Sequence, residues 1–149
     1  MLNRCRDVFA SLNSHGVRYV VIGGIASVIH GVPRATFDLD ILIESNRENA
    51  QRLLDALVAL RFGTATMATA ETLLANEITI FKDRLRIDVL TSAPGLRFET
   101  AWKNREVHTH RGQDFPVVTI RDLIRSKRAT GRVRDLQDVE ALLSRKSQE

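Results

Sequence analysis

Cysteine is almost absent from this chain of 149 residues, since Cys5 is the only one. A single cysteine cannot form a disulfide within the chain or supply the several thiolates of a structural zinc site. Aromatic residues make up only 5% of the sequence, which argues against a surface that stacks single-stranded bases. No apolar run approaches the roughly 18 residues of a membrane span, and the N-terminal segment lacks the apolar core of a signal peptide. These shortages predict a cytoplasmic protein without a membrane partner.

The bulk composition is ordinary for a soluble globular protein, with 44% hydrophobic and 27% charged residues. The length allows a substantial core, so we expect one domain over residues 1–149. The net charge of +4 is compatible with a polyanionic ligand, and Lys and Arg are concentrated in residues 121–134. One hypothesis is therefore a plain nucleic-acid binder that uses 121–134, whose binding would depend strongly on salt.

Hydrophobic periodicity divides the chain into alternating helices and strands. Helices are predicted at residues 3–14, 25–30, 47–60, 120–129 and 134–144. Strands are predicted at residues 17–22 and 37–43, twice within 77–90, and at 105–112 and 115–118. Residues 64–75 are rich in Thr and Ala and show no clear period, so no element is predicted there. The pattern predicts an α/β (or α+β) domain in which helices flank a mixed sheet and further helices form the C-terminal part.

Three aspartates lie on two of the predicted strands. Asp38 and Asp40 alternate within FDLDILI, and Asp88 lies within the apolar segment LRIDVL. Residues i and i+2 of a strand point to the same face, about 6.6 Å apart. Asp38 and Asp40 therefore share one face, and we expect Asp88 to join them from a neighbouring strand.

Three carboxylates in one place repel each other unless cations neutralise them. Mg²⁺ is a hard ion that prefers carboxylate oxygens and takes its remaining ligands from a triphosphate, so two Mg²⁺ ions are the expected cofactors. Gly23-Gly24 ends a predicted strand where a helix begins, and a backbone without side chains can approach a phosphate closely. The alternative is a tight strand-to-helix turn without a ligand, which would be favoured slightly if the carboxylates were absent.

The segment IGGIASVIHGVPRATFDLDILI resembles the signature of the DNA polymerase β-like nucleotidyltransferase superfamily, in which a glycine pair precedes an acidic pair. Within this superfamily the chain is most similar to the small prokaryotic branch that includes AbiEii-type toxins of type IV toxin–antitoxin systems. There an Arg-x-Thr-x-Asp sequence leads into the acidic pair, as Arg34, Thr36 and Asp38 do here. A helix with a lysine and a Gly-Arg-x-x-Asp-like turn complete the likeness, as Lys127 and residues 131–135 do here.

The resemblance implies a metal-dependent transfer of NMP from an NTP to a hydroxyl. Asp38, Asp40 and Asp88 would be the catalytic carboxylates and the metal ligands. The residues that would bind the nucleotide are Gly23, Gly24, Arg34 and Lys127. The acceptor stays open between an RNA 3′ end, a protein hydroxyl and a small molecule, and a cognate toxin or antitoxin is an expected protein partner.

Lys127 is also notable for its position, because it lies on the apolar stripe of its predicted helix, where a lysine either reaches the edge or points into a site. Arg134 and Asp138 are four residues apart on the last predicted helix, and we expect an ion pair on its surface. The alternative to an enzyme is a catalytically inactive module of the same fold that acts through a protein or RNA partner.

Overall fold

The structure, a computed structural model, describes residues 1–147. Its α-helices are α1 (Leu2–Ser14), α2 (Gly23–Ile29), α3 (Arg47–Ala59), α4 (Ala70–Ala75), α5 (Phe98–Asn104), α6 (Ile120–Thr130) and α7 (Val133–Ser147). Its strands are β1 (Tyr19–Ile22), β2 (Asp38–Ile43), β3 (Ile78–Lys82), β4 (Arg86–Leu90), β5 (Glu106–His110) and β6 (Gln113–Val117). A short 3₁₀ helix spans Gly63–Met67.

The six strands form one sheet in the order β3-β4-β2-β1-β6-β5. Strands β2 and β4 are parallel, as are β1 and β6, whereas β1 with β2, β3 with β4 and β5 with β6 are antiparallel. The predicted mixed sheet flanked by helices is therefore confirmed. Strand β1, one of the two central strands, is apolar throughout, and all four of its residues are buried.

The faces of β2 and β4 differ sharply. The apolar residues of these two strands alternate into the core, namely Leu39, Ile41, Ile43, Ile87 and Val89. The opposite face carries the charged side chains, which are only partly exposed, and the buried Leu42 at its end. Alternation with a period of two thus anchors both strands through one face and leaves the other free for a polar site.

The helix that carries Lys127 is bounded by clear signals. Thr119 is the N-cap of α6, and its side-chain oxygen accepts a hydrogen bond from the backbone N–H of Asp122. Gly131 ends the helix with φ of 67°, a left-handed conformation that favours glycine. Helix α7 then packs back against α6, so the α6–α7 junction is a tight corner.

Two helical regions have no counterpart among the predictions. Helix α5 covers Phe98–Asn104, and α4 with the preceding 3₁₀ helix covers most of residues 64–75. Both helices are short, with six or seven residues, so few turns repeat the apolar pattern on which the prediction depends. None of the helices within residues 1–147 has the length and hydropathy needed to cross a membrane.

Candidate active site

The three predicted aspartates come together on the exposed face of β2 and β4. These strands are parallel, and their register places Asp40 beside Asp88 and Asp38 beside Arg86. The structure therefore brings Asp88 next to Asp38 and Asp40, from which it is separated by about 50 residues of sequence. It also places a cation, Arg86, in the same group.

Asp40 is the most perturbed of these acids. Burial, reinforced by the negative charges of Asp88 and Asp38, raises the pKa of Asp40 to about 7. The neighbouring carboxyl of Asp88 also favours the protonated form of Asp40, whereas the backbone N–H of Gly24 favours its charged form. A cation bound nearby would therefore favour loss of the proton from Asp40 near neutral pH.

Arg86 supplies part of that positive charge. Its Nε donates to Oδ1 of Asp88 at 2.9 Å, and its Nη2 donates to Oδ2 at 3.2 Å, so the pair is bidentate. The same Nε lies 3.8 Å from Oδ2 of Asp38. Arg86 pairs in register with Asp38 of β2 and lies two residues before Asp88 on β4. Strand geometry therefore places its side chain on the same face as the carboxylates. The sequence interpretation missed Arg86, although this spacing was visible.

As they stand, the carboxylates are an ion-paired group and not a preformed metal cage. Among the residues that the structure describes, no three His, Cys, Asp or Glu side chains are arranged to hold a metal ion. The donor chemistry nevertheless fits Mg²⁺, because the site offers three carboxylates and one of them resists ionisation without more positive charge. Asp38, Asp40 and Asp88 are the residues that would hold the ion, and Arg86 would have to share Asp88 with it.

The glycine turn is explained first by the protein's own side chains. Gly23 has φ of 70°, and a Cβ built there would clash with the carboxylate of Asp40. A Cβ on Gly24 would lie 2.6 Å from Oγ1 of Thr36 and 2.8 Å from Nη2 of Arg34. Both glycines therefore allow close approach, and the groups that approach are Asp40, Thr36 and Arg34. Whether a phosphate also uses this turn stays a prediction.

Lys127 lines the cleft, and its ammonium group is already paired with two aspartates. Its side chain is only 6% exposed, and Nζ donates to Oδ2 of Asp138 at 2.9 Å and to Oδ1 of Asp135 at 3.2 Å. Asp138 is buried, so the predicted surface ion pair with Arg134 is wrong. Asp138 lies on the inner side of α7, where its carboxylate is within ion-pair distance of both Lys127 and Arg34.

A cleft of about 420 Å³ connects the two groups of charges. Its lining includes every predicted site residue, namely Gly23, Gly24, Arg34, Asp38, Asp40, Asp88 and Lys127. The carboxylates of β2 and β4 line this cleft together with Arg86. The lining also contains Arg34, Lys127, Arg132 and Arg134, with Asp135 among them, so the cleft holds both acidic and basic side chains.

Comparison with known proteins assigns the family. The model of the DUF6036 family, described as nucleotidyltransferases of unknown function, matches residues 4–147. The chain belongs to this family. The general class, nucleotidyltransferase, follows from that membership, and the family description names no acceptor and no metal.

The fold of this DUF6036 chain is similar to a solved structure from Thermotoga maritima, described as a "putative nucleotidyltransferase". The TM-score is 0.59 at 15% sequence identity, and the match covers 96% of this chain and 92% of the other. At this identity the likeness concerns the fold alone. No curated protein matches the sequence.

Two residues of this DUF6036 member were not predicted as parts of the site, Asp135 and Asp138. Burial raises the pKa of Asp135, but a hydrogen bond from Thr130 and the charge of Lys127 outweigh it, so the pKa is below its usual value. The signal was present in the sequence, because both acids follow a glycine turn and lie three residues apart on one face of a helix.

Proposed function

We propose that this protein is a metal-dependent nucleotidyltransferase that moves NMP from an NTP to a hydroxyl acceptor. The observation that carries the proposal is the in-register pairing of Asp40 with Asp88, beside Asp38, in a cleft that basic side chains also line. A nucleoside triphosphate complexed with Mg²⁺ needs both kinds of group, carboxylates for the metal and cations for the phosphates.

The roles of the carboxylates follow from their surroundings. Asp38 and Asp40 would hold Mg²⁺, and Asp88, which is near them and less exposed than Asp38, would complete the metal site. Bound there, Mg²⁺ would neutralise charge on the transferring phosphate and promote ionisation of the acceptor hydroxyl. Loss of the proton from Asp40 accompanies binding of a cation, because its pKa of about 7 falls when a positive charge approaches.

The basic side chains of the cleft would orient the triphosphate. Arg34 and Lys127 both line the cleft, and their charges favour the polyanion. Arg132 and Arg134 line the same cleft and can extend towards a ligand, since both residues are exposed. These cations position the phosphate for in-line displacement, which is a large part of phosphoryl-transfer catalysis.

The acceptor would approach over β3, on the side of the carboxylates away from Arg34. Strand β3 is an edge of the sheet, and Ile80 pairs in register with Asp88. Ile78 and Ile80 are 51% and 50% exposed, so this approach is open and apolar. RNA 3′ ends, protein hydroxyls and small molecules all remain candidates for the acceptor.

The test is isothermal titration with ATP, CTP, GTP and UTP, with and without Mg²⁺, for wild type and Asp38→Asn/Asp40→Asn. Mg²⁺-dependent binding of an NTP that the double variant loses is the expected result. The matched control is Asp7→Asn/Asp55→Asn, which removes two exposed aspartates of α1 and α3 and should bind as wild type does. Incubation of the bound NTP, α-³²P-labelled, with RNA and protein fractions then identifies the acceptor.

A toxin–antitoxin role is a finer part of the proposal and is supported only by the resemblance to AbiEii-type proteins. Induced expression in a bacterial host tests it. Growth arrest that disappears with Asp38→Asn/Asp40→Asn supports a toxin, and growth equal to that of an empty vector contradicts it.

A catalytically inactive binding module is the second candidate, and the ion pairs favour it. Arg86 already neutralises Asp88, and Lys127 is already neutralised by two aspartates, so the folded chain tolerates its charges without ligands. Folded protein that binds none of the four NTPs, with or without Mg²⁺, would favour this candidate over the enzyme.

A further inference from the structure

A buried network of charges joins α6, α7 and the segment that precedes β2. At its centre, Oδ2 of Asp138 lies 2.9 Å from Nζ of Lys127 and 3.4 Å from Nη2 of Arg34. The side chain of Asp138 is 5% exposed, and that of Arg34 is 20% exposed. One carboxylate oxygen therefore holds two cations from elements that are far apart in sequence.

Arg34 is unusual within this network. Its Nε and Nη1 are buried and have no hydrogen-bond partner among the residues that the structure describes. A guanidinium carries five N–H donors and is always charged, and unpartnered buried donors are costly and rare in native proteins. Arg34 therefore has hydrogen-bonding capacity in excess of what the described chain satisfies, and Asp138 is the anion that keeps it at the cleft.

The location of Arg34 indicates which ligand its positive charge would serve. Its Nη2, the atom that approaches Asp138, also lies against Gly24, so the guanidinium sits beside the glycine turn, and Arg34 lines the cleft. Lys127 lines the same cleft from α6. Two cations that one carboxylate holds side by side form a binding group suited to an oxyanion with several negative charges.

Asp135 provides an internal comparison. It also accepts a hydrogen bond from Lys127, but its second oxygen is occupied by Thr130 and Arg132, at 2.6 Å and 2.8 Å. Asp135 therefore closes the α6–α7 corner, whereas Asp138 is the acid that reaches Arg34.

We propose that Asp138 is a positioning residue for polyphosphate binding. It holds Arg34 and Lys127 as an oriented cation pair beside the cleft, and it acts on the ligand only through them. This inference rests on the proposed function, because the polyphosphate is the triphosphate of the NTP. Preorganisation is the physical reason, since a fixed guanidinium loses less freedom on binding than a mobile one.

Inorganic triphosphate in the presence of EDTA is the probe, because it tests the cation pair without the metal site or a base. In calorimetric titrations, Asp138→Asn should lower the affinity of the protein for triphosphate by about tenfold, the loss expected for one hydrogen bond to a charged group. Arg34→Gln should lower it to a similar extent. The double variant should lose less affinity than the sum of the two single losses, because Asp138 then acts through Lys127 alone.

The matched control is Asp122→Asn. Asp122 is a buried carboxylate of the same helix as Lys127, accepts a hydrogen bond from Asn104 and does not line the cleft. Its variant should have a lower melting temperature but unchanged affinity for triphosphate. This comparison separates positioning from a general loss of stability.

Wild-type affinity in Asp138→Asn, or tighter binding, would overturn the proposal, because Asp138 would then be neutral or a competitor of the phosphate. Equal effects of Asp138→Asn in the wild-type and Arg34→Gln backgrounds would overturn it too, since Asp138 would not act through Arg34. If Asp138→Asn does not fold, Arg34→Lys is the substitute variant, because it keeps the positive charge and loses the planar guanidinium. Unchanged triphosphate affinity in Arg34→Lys would also overturn the proposal.

Titrations with triphosphate and with NTPs distinguish failure of the proposed function from failure of the positioning role. Wild-type protein that binds triphosphate but no NTP contradicts the enzyme and retains the positioning role. Wild-type protein that binds neither contradicts both, and NTP binding that is equal in wild type and Asp138→Asn contradicts the positioning role alone.

Discussion

Replacement of Asp40 by Asn is expected to stabilise the folded protein, and the gain should grow as the pH rises. In the folded state burial raises the pKa of Asp40 from 3.8 to about 7. Between these two values the folded protein binds the additional proton and the unfolded chain does not, so wild-type stability falls as the pH rises. Asn does not ionise in this range, so the free energy of unfolding of the variant does not fall in this way as the pH rises.

The magnitude follows from the size of the shift. Each pH unit in this interval lowers the free energy of unfolding of the wild type by about 1.4 kcal/mol relative to the variant. From pH 5 to pH 7 the difference between the two proteins should therefore grow by up to about 3 kcal/mol, and it should level off above the folded-state pKa.

The assay is urea denaturation of both proteins at pH 5, 6, 7 and 8 in the presence of EDTA, so that no divalent cation replaces the proton. Asp55→Asn, an exposed aspartate on α3, is the control and should track wild type at every pH. A constant difference between Asp40→Asn and wild type from pH 5 to pH 8 would refute the reasoning, because Asp40 would then ionise as it does in the unfolded chain.

Three further predictions concern other parts of the fold. Gly23→Ala combines a left-handed φ with a clash against Asp40, and it should lower the free energy of unfolding in urea by about 2–5 kcal/mol. The control is Gly16→Ala, where φ is 68° and the space is open, and it should lower that free energy by only about 1–2 kcal/mol. Lys127→Met leaves two buried carboxylates without their cation and should cost about 3–5 kcal/mol; a loss below 1 kcal/mol in the same assay would contradict the buried network. Burial raises the pKa of the Cys5 thiol to about 11, so a thiol reagent at pH 8 should label Cys5 only after urea unfolds the protein, and rapid labelling of the native protein would contradict this placement.

Local patterns predicted the elements that build the site. The strict alternation of residues 37–43 and the β-branched run before Gly23 gave β2 and β1, because one or both faces of these strands are buried and the sequence shows it. The same alternation predicted that Asp38 and Asp40 share a face. Burial, periodicity and turn residues therefore agree in this part of the chain.

Long-range partners were harder to predict because they depend on strand order. Arg86 is two residues before Asp88 in the sequence, yet its approach to Asp38 exists only because β2 and β4 are parallel neighbours. Asp138 was predicted on the surface because i, i+4 spacing describes one helix and says nothing of the helix that covers it. The packing of α7 against α6 decides which side of α7 is inside.

The charged side chains of the cleft come from distant parts of the chain, and this separation has a consequence during synthesis. Asp88, the last of the three carboxylates on β2 and β4, leaves the ribosome 50 residues before Asp138 does. At typical rates of translation that interval lasts about 2.5–10 s. Strand β6, the neighbour of β1, emerges part-way through the interval, and Lys127 emerges shortly before Asp138. Until the interval ends, a nascent chain therefore has Arg34 and the carboxylates of β2 and β4 but not the carboxylate that pairs with Arg34.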